Sequence, residues 1–197
     1  SVVAAVDTAA DDASVPIPPW RLWARWIFLA AVPAGLLIAV TAHISTDVAA
    51  APLLWVLPLS LYLLTWVLVF QSRPLLPHKW IMMLQPLAIS GAIVLLAVGG
   101  EQNLLLTLGG HLLCFFVIAM ACHAELARTR PVAKYLTGFY VALSFGGMVG
   151  GLFAGLIAPY VFSWIAEYPI LLTLAALCRP PGGEERLPRL SGGYWLL

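Results

Sequence analysis

Long apolar runs separated by short polar connections dominate the pattern of this chain. The runs cover residues 26–42, 53–70, 81–99, 104–122, about 137–157, and a stretch between 160 and 178. A helix that crosses about 30 Å of hydrocarbon needs roughly 20 mostly apolar residues, because its backbone polar groups must be paired within the helix. The pattern therefore predicts an all-α, polytopic bundle of about six transmembrane helices.

Prolines interrupt several of these runs without ending them. Pro33, Pro58 and Pro86 lie inside apolar segments, and we interpret them as kinks, which membrane helices tolerate when neighbouring groups pair the freed carbonyl. The boundary of the sixth run is less defined, because Pro159, Glu167 and Pro169 each offer a place to turn.

The two ends of the chain differ from its middle. Residues 1–19 are acidic and then rich in proline, which predicts an extended linker, and residues 20–180 form the predicted bundle. Residues 181–197 are predicted to be a cytoplasmic segment, in which a further span could begin near Tyr194. The apolar first and last residues suggest a piece of a larger membrane protein.

Composition supports a membrane protein and excludes several soluble classes. Of the 197 residues, 62% are apolar and 10% are charged, and the mean hydropathy is +0.96, whereas soluble domains contain about 25% charged residues. A nucleic-acid binder, a disordered segment or a disulfide-rich secreted module would need more charge, polarity or cysteine. The three cysteines form no CxxC pair.

The net charge of +1 hides a strong asymmetry. If the chain crosses the membrane at each predicted span, all ten Lys and Arg residues fall on one side. By the positive-inside rule that side is cytoplasmic. We therefore expect a multi-pass protein of the bacterial inner (cytoplasmic) membrane, with its basic loops and N-terminal linker in the cytoplasm. Trp20, Trp23, Trp26 and Trp80 flank the spans on that side and fit an interfacial aromatic belt.

Five polar residues on the opposite side are candidates for a polar cluster. His43 and Asp47 are four residues apart in a connection, His111 lies inside the fourth run, and Glu101 and Glu167 lie in connections. Polar groups near lipid are costly and are often functional, so a substrate, proton or metal role is one interpretation. The other is structural: a hydrogen-bonded His and Asp in an ordered loop, and a neutral His111 bonded to a helix carbonyl. Two ligands without a third are too few to predict a metal site.

A second candidate group lies at the cytoplasmic end of the fourth run. His123 and Glu125 are followed by Arg128 and Arg130. A carboxylate among arginines favours a structural ion-pair network over a general base, and the basic loop would also attract anionic lipid headgroups. No serine or cysteine stands with a base at a recognisable spacing, so we predict no catalytic residue.

The fifth run carries two rows of small residues. One row contains Gly147, Gly151 and Gly155, and the other contains Gly146, Gly150 and Ala154. Small residues repeated every four positions let another helix backbone approach closely. The contact could lie within the bundle, or it could be made to another subunit or a moving helix.

Several strings resemble a known family. Residues 41–66 (TAHISTDVAAAPLLWVLPLSLYLLTW), 122–131 (CHAELARTRP), 136–140 (LTGFY), 144–159 (SFGGMVGGLFAGLIAP) and 167–169 (EYP) are similar to the membrane-integral part of bacterial spermidine synthase-like proteins, described as fused transporter-like and spermidine synthase proteins. The resemblance implies a multispan region joined to a cytoplasmic aminopropyltransferase-like domain. The sequence lacks that domain's GxGxxG-type turn and acidic polyamine pocket.

Two functions follow as expectations. The first is a non-catalytic membrane domain or accessory subunit that packs in a larger membrane complex or tethers a spermidine synthase-like domain. The alternative is a transporter of a small cationic metabolite such as a polyamine, and a membrane enzyme that acts with a separate soluble domain is a third. The expected partners are the lipid bilayer and other membrane subunits, with no nucleic acid. No cofactor is predicted, and bound lipid or pigment is left open.

Overall fold

A computed structural model describes residues 16–48, 53–71, 77–98 and 104–179. Six helices carry the fold, and the described ranges contain no strand, so the predicted all-α bundle is confirmed. They are α1 (Trp20–His43), α2 (Val56–Phe70), α3 (His78–Val98), α4 (Leu104–Arg128), α5 (Leu136–Leu152) and α6 (Glu167–Ala176). Residues 181–197, with the possible further span near Tyr194, lie outside the described residues, as do residues 1–15 of the predicted linker.

Short segments of other helix types extend α1 and α5. The π-helical segments Ile44–Val48 and Phe153–Ile157 follow these two helices directly. A 3₁₀ turn, Ala133–Tyr135, precedes α5, and a helical turn, Ala158–Val161, continues it. The chain then turns through residues 162–166, so that α6 begins at Glu167 and contains Pro169 in its first turn.

Four of the helices are long and apolar enough to cross a membrane. These candidate spans are Trp20–Thr46, His78–Val98, Leu105–Arg128 and Ala133–Val161. The helices α2 and α6 have 15 and 10 residues, or about 22 and 15 Å at 1.5 Å per residue. Both are shorter than the roughly 30 Å of a hydrocarbon core. The second apolar run starts with a turn at residues 53–55, and the sixth loses its first residues to the turn before α6.

The helices α1 and α4 lie at the centre of the bundle. The helix α1 packs most extensively against α5 and also contacts α4 and α6, while α4 contacts α2 and α3. The apolar core is buried between these helices and includes Trp26, Leu36, Phe115, Phe139 and Leu172. Pro33 and Pro86 lie inside α1 and α3, and both helices continue past them.

Close contact between α1 and α5 depends on two glycines. A Cβ atom on Gly146 would collide with the backbone oxygen of Ile27, and one on Gly150 would collide with that of Ala31. Both glycines are buried. The absence of side chains at these two positions therefore allows the two helix backbones to touch, which is how small residues stabilise helix pairs in membranes.

Candidate functional site

A polar cluster joins three helices at one end of the bundle. His43 ends α1, His111 lies in α4, and Tyr168 is the second residue of α6. The Nε2 atoms of the two histidines are 3.3 Å apart, and the Nδ1 atom of His111 is 3.0 Å from the Tyr168 hydroxyl oxygen. His111 and Tyr168 are 0% and 1% exposed. We call these three residues the histidine cluster.

The other residues predicted on this side are only partly located. Asp47 lies in the π-helical segment after His43, and its side chain is outside the description. Glu101 lies outside the described residues. Glu167 is buried at the start of α6, directly before Tyr168. The structure therefore brings His43 and His111 together, and it adds Tyr168, which the sequence analysis did not single out.

An ion-pair cluster occupies the opposite end of the bundle. Glu125 on α4 is 0% exposed, and its Oε1 atom accepts hydrogen bonds of 2.7 Å from the Nη2 atoms of both Arg25 and Arg128. The Nε atom of Arg128 donates a second bond, 2.9 Å long, to Oε2. The Nε2 atom of His78 on α3 lies 3.6 Å from Oε2. A buried carboxylate needs such partners, since an unpaired charge would be strongly destabilising.

The glutamate cluster, which is Arg25, His78, Glu125 and Arg128, ties α1 and α3 to the end of α4. The sequence analysis interpreted Glu125 and the arginines that follow it as an ion-pair network, but it did not identify Arg25 and His78 as partners. The described Lys and Arg residues lie at the starts of α1, α3 and α5 and at the ends of α4 and α6. Arg130, which follows Arg128, is exposed in the connection before α5.

His123 contacts different neighbours from Glu125, although the two residues are only two positions apart. Its Nδ1 atom is 2.7 Å from the Thr65 hydroxyl oxygen, and its ring lies against Trp66 and Tyr62 at centroid distances of 4.2 and 5.1 Å. The Thr65 hydroxyl oxygen also lies 2.6 Å from the Tyr62 carbonyl oxygen. When the hydroxyl donates to that carbonyl, Nδ1 of His123 carries the proton and donates to Thr65. The Nε2 atom of His123 is buried with no hydrogen-bond partner. This residue therefore fixes α2 against α4.

The two glycine rows of α5 have different surroundings. Gly146, Gly150 and Ala154 are buried. A Cβ on Gly151 or Gly155 would meet Ile38 at 3.6 or 3.7 Å, which is ordinary contact, and a Cβ on Gly147 would meet nothing within 4 Å. The row that allows close approach is therefore the one containing Gly146 and Gly150, and its partner is α1 of the same chain.

The residues that the sequence analysis did not identify all form hydrogen bonds with a partner on another helix. Tyr168 and Thr65 carry no local signal of their role, because a hydroxyl in an apolar helix is common and its partner lies 57 or 58 positions away. Gln85 is another case, since its side chain donates to the backbone oxygen of Ala175 at 2.7 Å. Polar residues inside apolar runs were the available signal, and only packing shows which of them meet.

Comparison with known proteins gives no relative from which a function could be carried over. No protein-family model, no curated protein and no solved structure matches this chain.

The two clusters differ in the chemistry that they allow. The charge of Glu125 is satisfied by two arginines, so it is poorly placed to act as a base. The histidine cluster holds imidazole and hydroxyl groups that can donate or accept protons, and imidazoles can also bind metals. Within the described ranges, no three His, Cys, Asp or Glu side chains are arranged so that they could hold a metal ion.

Proposed function

We propose that this chain is a membrane-embedded helical domain without catalysis of its own. It packs against other membrane subunits or holds a spermidine synthase-like soluble domain at the membrane. The observation that carries this proposal is the glutamate cluster, in which the 0% exposed Glu125 binds Arg25 and Arg128. These ion pairs stabilise the contact between helices, which is the role that charged side chains have in a structural domain.

The outward face of α5 offers the surface for a partner. Large apolar side chains are exposed there, and a shallow groove runs along the helix, lined by Thr137, Tyr140, Val141, Ser144, Phe145 and Met148. Exposed apolar surface of this extent is covered by lipid or by another protein. The small Ser144 and Thr137 side chains in the groove would let a neighbouring helix approach.

A pair of tryptophan variants tests this assignment. Ser144→Trp fills the groove, whereas Leu87→Trp places the same side chain on α3 at a position that is 66% exposed. In mild detergent, we expect the wild type and Leu87→Trp to migrate with a larger complex and Ser144→Trp to migrate as a smaller species. Migration of the wild-type chain alone would contradict the packing role, and an intact complex with Ser144→Trp would remove α5 as its interface.

We further propose that the end carrying the glutamate cluster faces the cytoplasm of a bacterial inner membrane. The support is the positive-inside rule, applied to the helix ends that carry Lys and Arg. Ser45 and Lys134 are exposed and lie beyond α1 and before α5. In intact cells a membrane-impermeant maleimide should label Ser45→Cys and leave Lys134→Cys unmodified until the membrane is opened. The reverse labelling would invert the orientation.

Transport of a small cationic metabolite, such as a polyamine, is the second candidate. The observation that favours it is the series of buried polar side chains along α4, which are Thr107, His111, His123 and Glu125. Because Glu125 is already neutralised, Glu167 is the buried carboxylate that remains, among the described residues, to attract a cation. Uptake of labelled spermidine into vesicles should then be lost in Glu167→Gln, and unchanged uptake would count against transport.

A further inference from the structure

The outward face of α3 changes from basic to apolar within one helical turn. Lys79 and Trp80 are exposed at the start of the helix, and Met83 and Leu87 are exposed further along it. Residues four positions apart lie on the same face of a helix, so Lys79, Met83 and Leu87 form one stripe. The stripe carries a positive charge at one end and apolar side chains along the rest of its length.

The glutamate cluster places a second cation beside this stripe. His78, the residue before Lys79, lies with its Nε2 atom 3.6 Å from the Oε2 atom of Glu125. The Nε atom of Arg128 donates to the same oxygen at 2.9 Å. The start of α3 is therefore adjacent to Arg128. The side chain of Arg128 is 38% exposed, so its guanidinium group stays accessible from outside the bundle while it binds Glu125.

The charges at this end of the bundle do not balance. The described Lys and Arg residues all lie at the helix ends on this side. Among the described residues, Glu125 is the one carboxylate at the same end, and Arg25 and Arg128 already bind it. The described surface is therefore strongly basic, and an anionic group from outside the chain would reduce the repulsion between its cations.

A phospholipid fits the stripe better than a soluble anion or an acidic protein segment does. It joins a phosphate to acyl chains, as the stripe joins a positive charge to apolar side chains. Lysine at the end of a membrane helix lays its apolar stem along the helix and holds its ammonium group at headgroup level. Trp80, next to Lys79, is a residue type that favours the same level. A soluble anion would leave Met83 and Leu87 uncovered.

We propose that the outward face of α3 binds an anionic phospholipid. The phosphate lies against Lys79 and Arg128, and the acyl chains lie along Met83 and Leu87. Each Lys or Arg near an anionic lipid contributes about fivefold to the affinity, so two cations give a preference of about 25-fold over a zwitterionic lipid. The inference rests on the membrane-embedded character of the helices and does not depend on a partner at α5.

Native mass spectrometry of the full chain tests the proposal. The chain is released from mild-detergent micelles that contain equal amounts of phosphatidylglycerol and phosphatidylcholine with the same acyl chains. The wild type should retain phosphatidylglycerol about 25-fold more often than phosphatidylcholine, and Lys79→Gln should lower this preference about fivefold. Lys79→Arg keeps the charge and should keep the preference. The matched control is Lys134→Gln, which removes the same charge at the start of α5 and should bind as the wild type does.

Two soluble probes distinguish a lipid from the other anions. Inorganic phosphate and polyglutamate carry the charge without acyl chains, so neither should displace the retained phosphatidylglycerol. Saturable binding of either probe by a wild type that shows no preference for phosphatidylglycerol would assign the basic end to a free anion or to an acidic protein, and it would overturn the proposal. Equal retention of the two lipids by the wild type, or an unchanged preference in Lys79→Gln, would also overturn it. Neither result would alter the outcome expected for Ser144→Trp, which tests the packing role separately.

Discussion

Glu125 on α4 accepts a hydrogen bond of 2.7 Å from Arg25 on α1, 100 positions earlier in the chain, while its own side chain is 0% exposed. Arg128, three residues after Glu125, binds the same carboxylate. The long-range bond fixes the start of α1 against the end of α4. The local bond neutralises charge without joining helices, so the two arginines have different structural roles.

Replacement of Glu125 by glutamine should destabilise the bundle. Glutamine has nearly the same shape but no charge, and it leaves Arg25 and Arg128 with weaker acceptors. Hydrogen bonds to charged groups contribute about 1.5–3 kcal/mol each, and the partial exposure of both arginines reduces the loss, so we expect about 2 kcal/mol. Thermal unfolding in detergent, followed by circular dichroism, measures it. An unchanged melting temperature would show that the cluster is not stabilising.

The two arginines should behave non-additively. Arg25→Met leaves Glu125 paired with Arg128, and Arg128→Met leaves it paired with Arg25. The double variant leaves the buried carboxylate of Glu125 without an arginine partner, which costs about 3–5 kcal/mol. A double-mutant cycle of unfolding free energies should therefore show that the double variant loses more than the sum of the single losses. Additive losses would indicate that water or His78 replaces the missing partners.

Gly150 and its neighbour Gly151 provide a matched pair on α5. A Cβ at Gly150 would collide with the backbone oxygen of Ala31, whereas one at Gly151 would make ordinary contact with Ile38 at 3.6 Å. Gly150→Ala should destabilise the bundle by about 1–3 kcal/mol because the helices must separate. Gly151→Ala should be neutral or stabilising, by up to about 1 kcal/mol, since alanine favours helix. Equal unfolding temperatures in the two variants would contradict the α1–α5 contact.

Thr65 is expected to hold the buried ring of His123 in place through their hydrogen bond. Thr65→Val removes the hydroxyl that forms a hydrogen bond with Nδ1 of His123, and a buried donor or acceptor left without a partner costs about 1–3 kcal/mol. The exposed Thr173, whose hydroxyl bonds the Pro169 carbonyl of its own helix, is the control, and Thr173→Val should have little effect. Adding His123→Phe to Thr65→Val removes both polar groups and should restore part of the loss. No recovery would mean that His123 is held by its rings alone.

The apolar runs were sufficient to predict most of the helices. Burial of backbone polar groups in an apolar medium requires helices, and length and hydropathy along the chain are local quantities. The limits of α2 and α6 were not predictable in the same way. Residues 53–55 and 162–166 are apolar enough to continue a span, but they form turns, and turn positions depend on how neighbouring helices pack.

The candidate sites could also be predicted only in part from the sequence. The position of Glu125 among arginines was sufficient to suggest an ion-pair network, and one of its partners, Arg128, lies three residues later on the same helix face. The pairing of Glu125 with Arg25, and of His111 with Tyr168, could not be predicted, since a partner 57 or 100 positions away leaves no mark in the local pattern. His43 and His111 were candidates for one polar cluster because they lie on the same predicted side, but their direct contact was not predictable. For the glycines, the sequence offered two equivalent rows of small residues, and it held no information on which row faces a helix.

The sequence by itself therefore determined that this protein is a helical bundle with helices able to cross a membrane, because apolar length and backbone pairing are properties of each segment. Only the tertiary structure decided which polar groups meet. It brought Glu125 to Arg25, His43 to His111, and Gly150 to Ala31. Buried polar atoms must find partners and close-packed helices must find small residues, and these partners are chosen by the arrangement of the helices in space.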